Sequence, residues 1–139
     1  MKNKPLYIAL LLSGILSLSV SAQSKKTLRE KNIISLTVNE YFLEENANKP
    51  VVELYEAYNE EGELIEIKEF NSSGIIKRWE KYAYNEDGDI IEEVFLNDKG
   101  KVDTTEKTIY KDGLRVEKQF YDAKGKLYKK KVYVYEYSN

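Results

Sequence analysis

The chain has 139 residues, 22 basic and 24 acidic, for a net charge of −2, and 42% of its residues are hydrophobic. That length suits one domain, and the near-balanced charge leaves no evident basic face for nucleic acid. Cysteine and histidine are both absent, which removes disulfides, Cys and His nucleophiles, His-based general bases and nearly all zinc or copper sites; no cofactor or metal is expected.

Taken in chain order, the first element is a targeting segment. Lys2 and Lys4 precede an apolar stretch from Leu6 to Val20, and Val20-Ser21-Ala22 forms a small-residue cleavage site before Gln23. Residues 1–22 therefore read as a secretory signal peptide. The apolar stretch is short for a span and diluted by serines, and no second one follows. The mature chain is expected to be exported, periplasmic or extracellular, with no membrane span after cleavage. Losing Lys2 and Lys4 but no acid, it keeps 20 basic and 24 acidic residues, a net charge of −4. Residues 23–32 are expected as a flexible N-terminal segment and 33–139 as a β-repeat domain.

Ile33, Ile34, Leu36 and Val38 favour a strand over 33–43, with a helix over Leu28–Phe42 as the competing assignment. Asn46-Ala47-Asn48-Lys49 reads as an incomplete turn, with lysine where glycine is wanted and Asn48 able to adopt the left-handed conformation. Val51–Tyr58 is the next strand. Beyond it, glycines recur at 62, 74, 88, 100, 113 and 125, in steps of 12, 14, 12, 13 and 12 residues. In front of five of them stands an aromatic or leucine, then Asn or Asp, then two variable residues: Tyr58-Asn59-Glu60-Glu61-Gly62, Phe70-Asn71-Ser72-Ser73-Gly74, Tyr84-Asn85-Glu86-Asp87-Gly88, Leu96-Asn97-Asp98-Lys99-Gly100 and Tyr121-Asp122-Ala123-Lys124-Gly125. An Asn or Asp that can bond its own backbone, followed by a glycine free to take positive φ, predicts a type I turn closed by a G1 bulge. Asp112-Gly113 fits instead a two-residue type I′ hairpin. Two residues after each full-signature glycine stands an aliphatic (Leu64, Ile76, Ile90, Val102, Leu127), where the next strand begins. The segments 75–84, 90–96, 114–121 and 127–137 are rich in strand-forming residues.

The repeat predicts an all-β, single-domain antiparallel meander of about eight strands. Glu66, Lys68, Arg78, Glu80, Glu92, Glu93 and Lys118 place charge on both faces, which a sandwich core or a membrane barrel would not accept. A single twisted or curled sheet is expected, with a partly open barrel as the alternative.

Few residues point to chemistry. Glu44-Glu45, Glu60-Glu61, Glu86-Asp87 and Glu92-Glu93 are paired acids of the kind a glycosidase uses, but most sit in turns. Asn85-Glu86-Asp87-Gly88-Asp89 lacks the spaced ligands of a calcium loop and matches the other turns. No catalytic residue is assigned. The candidate ligand-binding residues are Trp79, flanked by Lys77 and Lys81 and facing away from Tyr82 and Tyr84, and the stripe Tyr133, Tyr135 and Tyr137, which a period of two would place on one face. Cross-strand aromatic pairing that stabilises a thin sheet is the competing role for these rings. Lys129-Lys130-Lys131 reads as a guard against edge aggregation. The long terminal strand also leaves an edge for pairing with a partner chain or a second copy. Asn71-Ser72-Ser73 and Asp103-Thr104-Thr105 match short glycosylation motifs.

The units Tyr58-Asn59-Glu60-Glu61-Gly62-Glu63-Leu64, Tyr84-Asn85-Glu86-Asp87-Gly88-Asp89-Ile90 and Tyr121-Asp122-Ala123-Lys124-Gly125-Lys126-Leu127 resemble YD repeats of the Rhs type. With the Ser21-Ala22-Gln23 junction, the chain is also similar to small exported proteins of Bacteroidetes. The resemblance covers Asn46 to Asn139 and implies hairpin architecture; it supplies no catalytic residue. The expected function is a non-enzymatic binding or scaffold module of the cell envelope, with an unidentified glycan or protein as ligand. The alternative is an exported inhibitor or immunity protein that blocks a partner enzyme with an acidic turn; a carboxylate-based hydrolase ranks third.

Overall fold

The computed structural model describes residues 23–43 and 49–138; the signal-peptide assignment and the Asn46–Asn48 part of the first turn lie outside them. Eight strands follow in chain order: β1 (Ser35–Glu40), β2 (Val51–Tyr58), β3 (Leu64–Phe70), β4 (Ile76–Tyr84), β5 (Ile90–Leu96), β6 (Val102–Lys111), β7 (Leu114–Tyr121) and β8 (Leu127–Val132). Each pairs antiparallel with the one before it in one sheet, with β1 and β8 at the two edges. The sheet is an open meander rather than a barrel.

The turns explain why the chain reverses where it does. Asn71 Oδ1 accepts the N–H of Ser73 (3.0 Å) and of Ile75 (2.9 Å), its carbonyl accepts the N–H of Gly74 (2.8 Å), and its own N–H donates to Ile75 O (2.9 Å). Asn85, Asn97 and Asp122 repeat this pattern, and Asn59 repeats it except that its Oδ1 accepts only the Glu63 N–H. One side-chain oxygen thus satisfies backbone donors that a reversing chain would leave orphaned. The glycine takes positive φ in every turn, and only at Asp112-Gly113 are two consecutive residues positive (φ 51° and 73°), the type I′ geometry. Each five-residue turn closes on a facing pair: Tyr58 with Leu64, Phe70 with Ile76, Tyr84 with Ile90, Leu96 with Val102, and Tyr121 with Leu127. Beyond that pair the register steps by one, skipping Ile65, Lys77, Ile91, Asp103 and Tyr128. A bulge at the start of successive strands adds right-handed twist.

Register also fixes the faces, because opposed residues and residues two apart project the same way. Leu54, Tyr58, Ile67 and Phe120 are buried and share one face, here the Leu54 face, with buried Thr108. Tyr55, Glu66, Lys68, Trp79, Lys81, Lys107 and Tyr121 occupy the other, the Trp79 face. With so few buried side chains, the stems of long charged residues cover much of both faces.

One expectation is refined and one corrected. Residues 23–32 include helix α1 (Lys25–Glu30), capped by Ser24, whose Oγ accepts the Thr27 N–H (3.1 Å). Leu28 is only 3% exposed. The helix stops at Lys31 and Asn32, the latter at φ 52°, and the chain enters β1; helix and strand thus share the span over which they competed. The terminal strand, expected to reach Tyr137, ends at Val132. Tyr133 N–H still donates to Val116 O (3.0 Å), but β7 begins only two residues before Val116, so little strand remains to pair with.

Gly62 is where helix and sheet meet. A Cβ there would lie 2.5 Å from Lys25 O and 3.3 Å from Leu28 Cβ, whereas at Gly74, with nearly the same φ, it would meet nothing within 4 Å. Gly74→Ala should therefore cost about 1–2 kcal/mol for the left-handed backbone alone. Gly62→Ala should cost more and also release α1. Urea denaturation of both variants, with amide exchange at Lys31 and Ile33, checks this.

Candidate functional site

On the Trp79 face, register sets three residues side by side: Tyr55 on β2 opposes Lys68 on β3, which opposes Trp79 on β4. Lys68 Nζ lies 4.2 Å from the Trp79 ring centroid and 5.4 Å from that of Tyr55, a cation between two π faces worth roughly 0.5–1 kcal/mol at such a partly exposed position. Glu66, two residues along β3, ties the row together. Its Oε1 accepts the Trp79 indole N–H (2.6 Å) and lies 3.4 Å from Lys68 Nζ and 3.9 Å from Lys81 Nζ. The indole is braced from the next hairpin, since a Cβ on Gly100 would approach its Cη2 and Cζ3 to 3.0 Å. The result is a rigid, half-exposed aromatic flanked by fixed charges on an open face.

The predicted site residues do not converge. Trp79 is on β4, whereas Tyr133, Tyr135 and Tyr137 follow β8 at the far edge. Nor do the three tyrosines form a strand stripe. The Arg115 guanidinium carbon sits 5.5 Å from the Tyr133 ring centroid, the Tyr135 hydroxyl donates to Arg115 O (2.6 Å), and Tyr137 is 79% exposed. The first two anchor the C-terminal segment to the start of β7. Lys81 shares the Trp79 face as expected, while Lys77 falls on the skipped bulge position.

On the Leu54 face, cations hold the strand carboxylates Glu69, Glu80, Glu93 and Glu106. Arg78 bonds Glu69 (2.9 Å) and Glu80 (2.6 Å), and Tyr82 donates its hydroxyl to Glu80. Burial alone would raise the Glu80 carboxyl, but hydrogen bonds from Arg78 and Tyr82 outweigh it and hold the group below the usual range. Glu93 and Glu106 stand directly opposite each other, a repulsive pairing, and Lys118 Nζ bridges them at 3.0 and 2.5 Å. Despite partial burial, those two bonds raise the Lys118 ammonium above its ordinary value. Arg78-x-Glu80-x-Tyr82 is visible in the sequence as same-face spacing. The Lys118 bridge is not, because it spans three strands and depends on two registers.

Glu63 is the residue that sequence reasoning missed most completely. Its side chain is 8% exposed and accepts Lys25 Nζ (2.6 Å) from α1 and Asn59 Nδ2 (2.9 Å) from its own turn. A depression of about 320 Å³ beside it is lined by Asn59, Glu61, Ile65, Tyr82, Tyr84 and Asn85, among others. A second, of about 390 Å³, lies between Val51, Val52, Phe70 and the Ser72–Gly74 turn. Among the described residues no three carboxylates are grouped to hold a metal. Compared with known proteins, the chain matches no family model and no curated sequence.

Lys25 first, then Asn59, hold the Glu63 carboxyl below its ordinary value. A depressed folded pKa stabilises above the unfolded value of about 4.3, and that contribution is lost as pH falls through the lowered value. Protection of the Lys31 and Ile33 amides from exchange should therefore fall below pH ~4.3 before protection at Leu54 does. Glu63→Gln should produce the same loosening at neutral pH, at a cost of about 1–3 kcal/mol.

Proposed function

We propose that the protein is an exported, non-enzymatic β-repeat module of the cell envelope that binds or scaffolds, presenting its Trp79 face to a glycan or a protein. The carrying observation is the Tyr55–Lys68–Trp79 row: half-exposed rings held rigid on the open face of a one-layer sheet. Rigid, amphipathic aromatics give contact area at low entropic cost. The absence of enzymatic activity is supported by the engagement of Glu66, Glu80, Glu93 and Glu106 with cations and ring donors. Export is supported by the Leu6–Val20 stretch and its small-residue junction; among the described residues no helix is long and apolar enough to cross a membrane. The five turns of one geometry support kinship with YD-repeat proteins.

Trp79 is the sole tryptophan among twelve tyrosines, so tryptophan emission, excited selectively over tyrosine, reports on this site alone. Titration with cell-wall glycan fragments, a glycan array and a pulldown from envelope extract should yield a ligand that shifts Trp79 emission. Trp79→Ala should then weaken binding at least tenfold, about 1.4 kcal/mol, with the fold retained, and Tyr137→Ala should leave it unchanged. A search that finds no such ligand sinks the proposal.

One observation favours a second reading, an exported inhibitor. The exposed acids Glu60, Glu61, Glu86 and Asp87 occupy two turns at the same end of the sheet, close enough that Gly88 abuts Glu63. An inhibitor should co-elute stoichiometrically with its enzyme on gel filtration, and Glu61→Lys with Glu86→Lys should abolish the complex. Failure of envelope-extract enzymes to co-elute would remove this reading.

A further inference from the structure

The outer edge of β8 carries an arrangement that neither the fold nor the Trp79 face uses. All six residues of β8, Leu127–Val132, are exposed, and β8 pairs only with β7. The hydrogen bond from Tyr133 N–H to Val116 O sets the phase of the ladder. In an antiparallel pair the bonded residues alternate, so Lys129 and Lys131 bond back to β7, while Lys130 and Val132 turn their N–H and C=O groups outward. That edge is a template for another extended segment.

Charge on the edge divides by face. Lys130 lies on the Trp79 face and is compensated by Glu117 at 3.5 Å. Lys129 and Lys131 lie on the Leu54 face, with Nζ atoms 3.9 and 5.6 Å from the centroid of the buried Phe120 ring. Neither has a carboxylate within 4 Å among the described residues, and Glu106, in line with Lys129 across Phe120, is held by Lys118. Two ammonium groups of one sign, two residues apart beside free backbone groups, complement an added strand with acids at alternate positions, since residues two apart share a face. A second copy fits poorly: β8 against β8 centred on Lys130 would set Lys129 opposite Lys131 of the other copy, like charge against like.

We propose that the β8 edge binds an extended acidic segment of a partner protein by strand addition, Lys130 and Val132 supplying backbone hydrogen bonds and Lys129 and Lys131 pairing with carboxylates of the added strand. This site is separate from the Trp79 face and does not rest on it.

The test uses protein purified from cells expressing the full chain, and two capped, fluorescein-labelled octapeptides, one alternating threonine with glutamate and one alternating threonine with lysine. The acidic peptide should bind saturably and more weakly as salt rises, and the basic one should not bind. Amide shifts should centre on Lys130 and Val132. Lys129→Gln with Lys131→Gln should weaken binding at least tenfold. Lys130→Pro, which removes an outward donor at an edge where proline is tolerated, should do the same with little change in melting temperature. Several outcomes overturn the proposal: no saturable binding, equal binding of the basic peptide, unchanged affinity in both variants, or shifts confined to the Trp79 face. Concentration-dependent growth in mass without peptide, abolished by Lys130→Pro, would assign the edge to a second copy instead. Because the Trp79 ligand search has its own readout, either proposal can fail without the other.

Discussion

The sheet depends on one recurrent interaction: the side-chain oxygen of Asn or Asp at the first turn position accepting backbone N–H groups two and four residues on. It lets the chain reverse without orphaning donors, and it works only because the following glycine accepts positive φ. Five hairpins closed alike share the same register step, the same bulge and hence the same added twist. Strand pairing, face assignment and the positions of the charges all follow from that shared step.

A one-layer sheet buries little, and its buried hydrophobic residues lie mainly on one face. Stability must then come from cross-strand pairs, each adding roughly 0.2–1 kcal/mol, and from charge networks that quiet what would otherwise be repulsion. Lys118 between Glu93 and Glu106, and Arg78 between Glu69 and Glu80, do this on the Leu54 face. Helix α1 adds a local anchor at the Gly62 turn, through buried Leu28 and the Lys25–Glu63 pair.

The two recognition surfaces differ in kind. The Trp79 row is aromatic, rigid and internally compensated, since Glu66 gathers the indole N–H and two lysines. The β8 edge is basic, uncompensated on one face and offers backbone groups. The first suits stacking and shape, the second strand addition to an acidic chain. Three strands, β5 to β7, lie between Trp79 and the β8 edge, so one partner need not exclude the other.

Turn signatures determined the meander, seven of the eight strands, the I′ geometry at Asp112-Gly113 and the boundaries of β5 and β7, because Asn/Asp-x-x-Gly and Asp-Gly are local conformational codes that act within about five residues; the first strand rested on apolar alternation against a competing helix. The placement of Trp79 on the face opposite Tyr82 was legible too, from a period of two. Tertiary structure decided what depends on distant partners: the docking of α1, which needs the Gly62 turn beneath it; the end of β8, set by where β7 runs out; and the divergence of Trp79 from Tyr133, Tyr135 and Tyr137. It alone decided which charges are paired, since Lys118 and Glu93 are brought together by two successive registers rather than by any spacing along the chain.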